Sequence, residues 1–339
     1  MPDAPPPAGS DGGGGTLGVV LLNLGGPDSP DAVEPFLRNL FGDPDVIKLG
    51  WARPLQPVFA RLVARRRAPY SRDAYAQIGG RSPIAEESAQ QAAGVAAELG
   101  QRGIAARPYC AMACWHPFSE EAIAAMRTDG VRRAVAVPLF PHDSDTTTGS
   151  SFKALDRAAR GSGIEIARVR HYPDAEGYLA ALCDRVREAA AALPEAERDT
   201  APVLFSAHGL PESYIRDGDP YLDEIRTTVA AATRRLGLGA RAQICFQSRL
   251  GRAKWLSPYT EDVLDAIAGA GHRSVLVCPV AFTGEHIETL QEIDILYRER
   301  ALARGITHFA RARTVGCHPA FLAALADLAA AAARAQGFV

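Results

Sequence analysis

The chain has 339 residues, of which 47% are hydrophobic, enough to form one large domain or two ordinary ones around substantial cores. Its formal net charge of −2 argues against a general nucleic-acid-binding protein. No apolar run approaches the roughly 18 residues that a membrane-spanning helix needs, so no such helix is predicted.

The first residues and the cysteines bear on cellular location. Residues 1–16 are rich in Pro, Gly and Ala and lack the basic start and apolar stretch of a signal peptide, so we predict a disordered tail. The six cysteines include no Cys-x-x-Cys pair, and Cys317 stands alone near the C-terminus. We therefore expect reduced thiols in the cytoplasm and no iron–sulfur cluster.

Apolar runs bounded by Gly and Pro alternate along the chain with Ala-rich amphipathic segments. Such runs are typical of strands buried on both faces of a parallel sheet, and their alternation with helices predicts an α/β fold. The predicted strands are 18–24, 107–113, 134–140, 165–168, 202–206, 242–245 and 274–281. The predicted helices are 32–40, 84–99, 119–127, 177–192, 220–236 and 259–268.

An internal repeat divides the chain. Segments 18–27 and 202–211 both run from a strand into a turn with Gly and Pro, and 134–151 resembles 274–288. The repeat predicts two α/β domains, at 17–172 and 173–318, with a C-terminal helix in 319–339 packing on the first. Because ligands of open α/β sheets bind at the carboxyl ends of strands, these motifs are expected to face one cleft.

His208 follows the predicted strand 202–206 and precedes Gly209 and Pro211. A neutral imidazole there can bind a metal or accept a proton. Taken alone, a loop His more often only satisfies backbone groups.

Glu285, Glu288 and Glu292 follow the predicted strand 274–281 at spacings that place them on one face of a helix, with His286 among them. A solvated acidic face is the usual explanation of such spacing. The preceding buried strand and the embedded imidazole favour a site for ferrous iron, cobalt, nickel or zinc.

Two further segments have two interpretations each. Thr146–Ser151 (TTTGSS) opens a helix after a strand, where hydroxyl and free N–H groups can hold a carboxylate or phosphate, or merely cap the helix. The stretch from Trp51 to Arg67 is a basic amphipathic segment, which predicts either a membrane-surface or pocket-capping helix or an ordinary core helix.

Seven collinear blocks resemble the ferrochelatase family, the enzymes that insert ferrous iron into protoporphyrin. The resemblance implies two Rossmann-like domains with parallel sheets around a central cleft, the chelatase fold, and a bacterial-type ferrochelatase that forms protohaem from protoporphyrin IX and Fe²⁺. Iron is then a substrate, and no cofactor is permanently bound. The blocks are VLLNLGGPDSP (20–30), IGGRSPI (78–84), WHPFSEEAI (115–123), TTTGSS (146–151), LFSAHGLP (204–211), FQSRLGRAKWLSP (246–258) and EHIETLQEIDILY (285–297).

The resemblance also implies roles for individual residues. His208 and Glu288 match the family's central catalytic pair near the metal. The stretch from Trp51 to Arg67 matches an apolar lip over the porphyrin, which sometimes touches membrane. A monomer in the cytoplasm is expected, with peripheral contact to the inner face of the membrane as an open alternative. The implied polar track for protons and metal is Glu285, His286 and Glu292, and the implied porphyrin-binding residues are Leu24, Thr148, Ser150, Ser206 and Trp255.

Several positions depart from the family pattern. Ala113 and Cys114 stand where relatives often have Arg and Tyr, and Leu296 stands where a carboxylate is often found. Asp143 replaces an aromatic residue, and Asp145 follows it, so two acids are expected in the cleft. These departures leave two alternatives open: a chelatase for another metal or tetrapyrrole, such as cobalt, nickel or coproporphyrin, or a non-catalytic porphyrin- or haem-binding carrier.

Overall fold

The computed structural model describes residues 15–251 and 253–339, which form two four-stranded parallel sheets flanked by helices. This arrangement confirms the predicted α/β fold. The predicted tail spans residues 1–16, and residues 1–14 of it lie outside the described residues.

The first sheet consists of β1 (Leu17–Asn23), β2 (Ala106–Met112), β3 (Arg133–Pro138) and β4 (Glu165–Arg168). Its strand order is β2-β1-β3-β4, and every neighbouring pair is parallel. β1 is buried along its whole length, as expected for a central strand rich in Val and Leu with helices on both faces.

The second sheet consists of β5 (Val203–His208), β6 (Ala242–Gln247), β7 (Ser274–Pro279) and β8 (His308–Arg311). Its order is β6-β5-β7-β8, again all parallel. In both sheets the first strand in the chain lies between the second and the third, and the fourth lies at the edge. The identical order confirms the internal repeat that the sequence predicts.

The predicted strands are all present, with ends that shift by one or two residues. The sequence prediction missed β8. This strand has four residues, lies at a sheet edge and begins with the exposed His308, so it lacks the apolar run that identifies the others.

Helices cover both sheets, and the predicted helices are all present. Two further segments are π-helical: Asp145–Gly149, which opens the helix predicted at the Thr/Ser segment, and Glu288–Tyr297. Short 3-10 turns occupy Gly50–Leu55 and Gly239–Arg241. The α-helices are α1 (Val33–Gly42), α2 (Gln56–Ala76), α3 (Ile84–Gln101), α4 (Ser119–Thr128), α5 (Ser150–Ala159), α6 (Glu176–Ala190), α7 (Glu195–Arg198), α8 (Glu212–Arg216), α9 (Tyr221–Leu236), α10 (Thr260–Gly269), α11 (Arg298–Ala303) and α12 (Pro319–Ala335).

One buried apolar cluster joins the two sheets. It includes Leu21 of β1, Phe205 of β5 and Leu276 of β7, together with Phe321 and Leu325 of α12. α12 packs against α3, α6 and β3. Since α6 follows the expected domain boundary and also packs against α12, the division at residues 172 and 173 stays a prediction.

The segment from Trp51 to Arg67, called the lip below, comprises the 3-10 turn Gly50–Leu55 and the first half of α2. The buried stripe of α2, which runs through the lip and ends just beyond it, includes the small residues Ala60, Ala64 and Ala68, which lie on one face and pack with α1. Among the described residues, no helix is long and apolar enough to cross a membrane.

Candidate active site

His208 is the last residue of β5, at the carboxyl edge of the second sheet. Its ring Nδ1 lies 2.7 Å from the carbonyl oxygen of Gly209. Because a carbonyl only accepts hydrogen bonds, Nδ1 carries the hydrogen in the neutral ring, and Nε2 keeps its lone pair. The hydroxyl of Tyr221 donates to the His208 carbonyl oxygen over 3.0 Å, which fixes the backbone behind the ring.

Glu288 begins the π-helix that follows β7, and its carboxylate lies 2.7 Å from Nδ1 of His286. Burial by itself raises the pKa of the Glu288 carboxyl, but the charge and hydrogen bond of His286 and the charge of His208 lower it to about 2. The influence of His208 shows that the two residues expected as a catalytic pair lie within electrostatic reach. π-Helices are rare and frequently occur at functional sites.

Glu292 lies one turn further along the π-helix, and its carboxylate accepts hydrogen bonds from the end of β6 and the residue after it. The amide of Gln247 donates to its Oε2, and the backbone N–H of Ser248 donates to its Oε1, both over 2.9 Å. The hydroxyls of Ser248 and Tyr297 also donate to this carboxylate. Ser248 has a φ of 64°, a conformation that non-Gly residues adopt rarely, so the turn after β6 is shaped around Glu292.

Glu285 does not share a helix face with Glu288 and Glu292, and that prediction was wrong. The helix begins only at Glu288, so Glu285 lies in the preceding loop. Its carboxylate accepts from Arg311 over 2.9 Å and from the Thr289 hydroxyl over 2.6 Å. Burial raises the pKa of this carboxyl, but the Arg311 charge and the hydrogen bonds from Thr289, Thr314 and Arg311 together outweigh burial and lower it.

Three residues expected to bind porphyrin lie beneath the surface. Ser206 is fully buried, and its hydroxyl donates to Oε1 of Gln247 over 2.8 Å. Thr148 is also fully buried, and the hydroxyl of the buried Ser150 donates to Asp43. These hydroxyls are enclosed by protein, and that of Ser206 contacts Gln247, so their direct contact with a ring stays a prediction.

Leu24 and Trp255, the other two expected porphyrin contacts, border an apolar region. An apolar cluster forms mainly between α1 and α2, and Leu24, Leu250 and Ile287 pack against it. We call the cluster and these residues together the lip cluster. The Trp255 indole N–H donates to the Leu250 carbonyl over 2.8 Å, and its ring centroid is 6.3 Å from that of His208. An apolar surface therefore adjoins both His208 and, through Ile287, Glu288.

The departures from the family pattern lie partly in the lip cluster and partly elsewhere. Asp143 is 5% exposed and pairs with Nε of Arg170 at 2.6 Å, so the expectation that it adds an acid to the cleft was wrong. Cys114 is buried within the lip cluster, against which Ala113 also packs. Leu296 remains 38% exposed on the π-helix.

Sequence reasoning missed several residues that organise the site. Gln247 and Ser248 lie in the block 246–258 used for the resemblance, yet their spacing carries no separate signal. Arg311 belongs to the missed strand β8. Tyr75 of α2 is buried, and burial and the charge of Glu288 raise its pKa, which places α2 close to Glu288.

Comparisons with known proteins agree with this geometry. The chain is 43% identical to a ferrochelatase of Citrifermentans bemidjiense over 93% of its own length and 98% of that protein's. It is 44% identical to a ferrochelatase of Gloeobacter violaceus over 92% and 96% of the two lengths. The sirohydrochlorin chelatase SirB of Bacillus subtilis subspecies spizizenii superposes with a TM-score of 0.51 over 95% of this chain and 98% of that one. At 13% identity, the likeness to SirB shows the chelatase fold alone. The family model named Ferrochelatase matches residues 16–333, so the chain belongs to the ferrochelatase family.

Proposed function

We propose that this ferrochelatase-family enzyme inserts Fe²⁺ into protoporphyrin IX to form protohaem, with His208 and Glu288 as its catalytic pair. Family and enzyme class rest on the comparisons, whereas the roles of the residues are the proposal. One observation carries it: a ring nitrogen with a free lone pair lies within electrostatic reach of a carboxylate whose pKa is lowered to about 2.

Iron insertion exchanges one Fe²⁺ for the two pyrrole N–H protons, so the reaction needs a base and a metal ligand. Nε2 of His208 is suited to take a proton from a pyrrole nitrogen, because the Nδ1–H bond to Gly209 orients the ring. Glu288 stays ionised at neutral pH, and carboxylate oxygen and imidazole nitrogen together suit ferrous iron. Glu288 would therefore replace water on the entering iron.

The lip cluster provides an apolar seat for a flat macrocycle. Leu24, Leu250 and Ile287 are partly buried in it, and Trp255 adjoins it through its bond to Leu250. Ligand sites are mostly apolar surfaces with a few polar groups that fix orientation. The polar track of Glu285, His286 and Glu292 continues from Glu288 and would carry protons away from the ring.

The test compares His208→Ala and Glu288→Gln with two controls, His116→Ala and Glu86→Gln, which change exposed residues outside the site. Anaerobic conversion of protoporphyrin is followed by absorbance. Each site variant should lose activity by about 100-fold or more, since general acid–base catalysis contributes about 10²–10⁴-fold. Substantial activity in either site variant would contradict the assignment. Repeating the assay with cobalt, nickel and coproporphyrin tests the alternative substrates.

We also propose that the lip contacts the surface of an anionic membrane. Trp51 is 94% exposed, and Leu55, Val58 and Leu62 are 59–65% exposed, because alanines form the buried stripe of α2. Arginines flank these apolar side chains, a combination that favours the interface of anionic lipids. A cytoplasmic enzyme held at the inner face of the membrane would receive its apolar substrate there.

Cosedimentation with vesicles tests this proposal. The protein should bind phosphatidylglycerol vesicles more strongly than phosphatidylcholine vesicles, and Leu62→Ser combined with Trp51→Ser should weaken that binding. Equal binding by the double variant would contradict it.

A further inference from the structure

Glu87 of α3 has no assigned role, yet its carboxylate reaches the loop that leads to Glu288. Its Oε2 accepts from the backbone N–H of Glu285 over 2.7 Å. The same oxygen lies so close to Gly284 that a Cβ on that glycine would be 3.0 Å away. The Glu87 carboxylate therefore packs against the backbone of the loop that carries Glu285 and leads to Glu288.

Glu87 also lines a cavity of about 180 Å³, called the outer cavity below. The 313–317 segment after β8 forms one wall. Among the described residues, none that lines the outer cavity belongs to the lip cluster. This cavity is thus an opening to the track separate from the apolar seat. Its lining residues are Glu87, Gln90, Arg185, Glu285, Arg313, Thr314, Gly316 and Cys317.

His286 lies within electrostatic reach of both Glu288 and Glu87. Its Nδ1 is 2.7 Å from the Glu288 carboxylate, and its ring packs edge-on against Phe282 with centroids 4.4 Å apart. The charge of His286 also reaches Glu87. Burial most strongly raises the pKa of Glu87, the backbone hydrogen bond from Glu285 lowers it, the charges of Glu285 and Glu86 raise it, and the charge of His286 lowers it. The net direction is upward, so Glu87 takes up a proton more readily than its neighbour Glu285.

Glu285 itself is poorly suited to accept a proton. Its carboxylate already accepts hydrogen bonds from Arg311, Thr289 and the backbone N–H of Thr314. In contrast, Glu87 receives one backbone hydrogen bond through Oε2 among the described residues, and the outer cavity lies beside it.

We propose that Glu87 is a proton-release residue, which accepts a proton leaving the cleft on the Glu288 side and passes it to water in the outer cavity. This inference rests on the proposed function. A pyrrole N–H bond breaks as iron enters, the proton moves past His286 to Glu87, and Glu87 then loses it to solvent. Each transfer is a proton exchange between oxygen and nitrogen bases, so no electron acceptor or donor is involved.

The test compares Glu87→Gln with Glu86→Gln in the full chain. Gln keeps an oxygen that accepts from the Glu285 N–H but does not take up a proton near neutral pH. At low buffer concentration, kcat for iron insertion by Glu87→Gln should fall by about tenfold, while the KM values for iron and porphyrin stay unchanged. Added imidazole, a small proton acceptor, should restore kcat. Glu86→Gln keeps the Glu87 carboxyl and removes only the smallest of the charge effects on it, so its kcat should stay close to that of wild type.

Three outcomes would overturn the inference while leaving the proposed function standing. These are an unchanged kcat in Glu87→Gln, a lowered kcat that imidazole does not restore, and a raised KM for iron, which would make Glu87 part of an iron route. An inactive wild type would overturn the proposed function and, with it, this inference.

Discussion

Replacing Arg311 with Met tests the electrostatic support of the polar track. The Arg311 side chain is 8% exposed and lies between two carboxylates, 2.9 Å from Oε1 of Glu285 and 2.6 Å from Oδ2 of Asp294. Methionine fills a similar volume without charge, so Arg311→Met leaves both acids without their buried cation. Removing one partner of a buried ion pair costs about 3–5 kcal/mol, and we expect a loss of this size.

The assay is urea unfolding followed by circular dichroism, with Arg304→Met as the control. The Arg304 side chain is 56% exposed and pairs with Asp265 at 3.0 Å, and surface pairs contribute about 0–1 kcal/mol. If stranded charge causes the loss, adding Glu285→Gln to Arg311→Met should recover part of it. Equal stability of Arg311→Met and the Arg304→Met control, or no recovery in the double variant, would refute this reasoning.

Three further predictions concern the site and its surroundings. Burial lowers the pKa of His142 from 6.5 to about 3. As pH falls from about 6.5 to about 3, the His142 ring therefore takes up a proton in the unfolded chain but stays neutral in the folded one. Stability should decline there by at most about 1.4 kcal/mol per pH unit, and urea midpoints at pH 7 and pH 5 should differ less in His142→Phe. In Gly209→Ala, the new Cβ would lie 3.0 Å from the backbone oxygen of Gln247 and 3.1 Å from Cε3 of Trp255, so the KM for porphyrin should rise as the indole shifts. Steady-state kinetics that show this KM unchanged would contradict the prediction. Ser206→Ala removes the hydrogen bond to Gln247 and should lower kcat without changing porphyrin affinity, whereas weaker porphyrin binding in a fluorescence titration would make Ser206 a contact residue.

The fold was largely predictable because most strands are continuous apolar runs between turn residues. β1 and β5 end in the Gly- and Pro-containing turns that marked the repeat, and the same strand order in both sheets follows from it. β8 could not be predicted, because a four-residue edge strand beginning with His308 carries no periodic signal. Arg311, which holds Glu285, was missed together with that strand.

Site residues were predictable to the extent that they belong to family motifs. His208 and Glu288 lie within electrostatic reach of each other, as their motifs implied, although their roles stay predictions. The spacing of Glu285 misled because a loop and a π-helix replace the single α-helix that the pattern suggested. Asp143 was misplaced because residue type alone does not tell whether a side chain faces the cleft or an internal partner.

The central claim is that the cleft catalyses iron insertion and does not merely hold a porphyrin. The most direct measurement follows absorbance after purified wild-type protein is mixed anaerobically with excess protoporphyrin IX and Fe²⁺. We predict many turnovers per protein molecule, at a rate above that of the protein-free mixture. Tight porphyrin binding without turnover would contradict the account and favour a carrier.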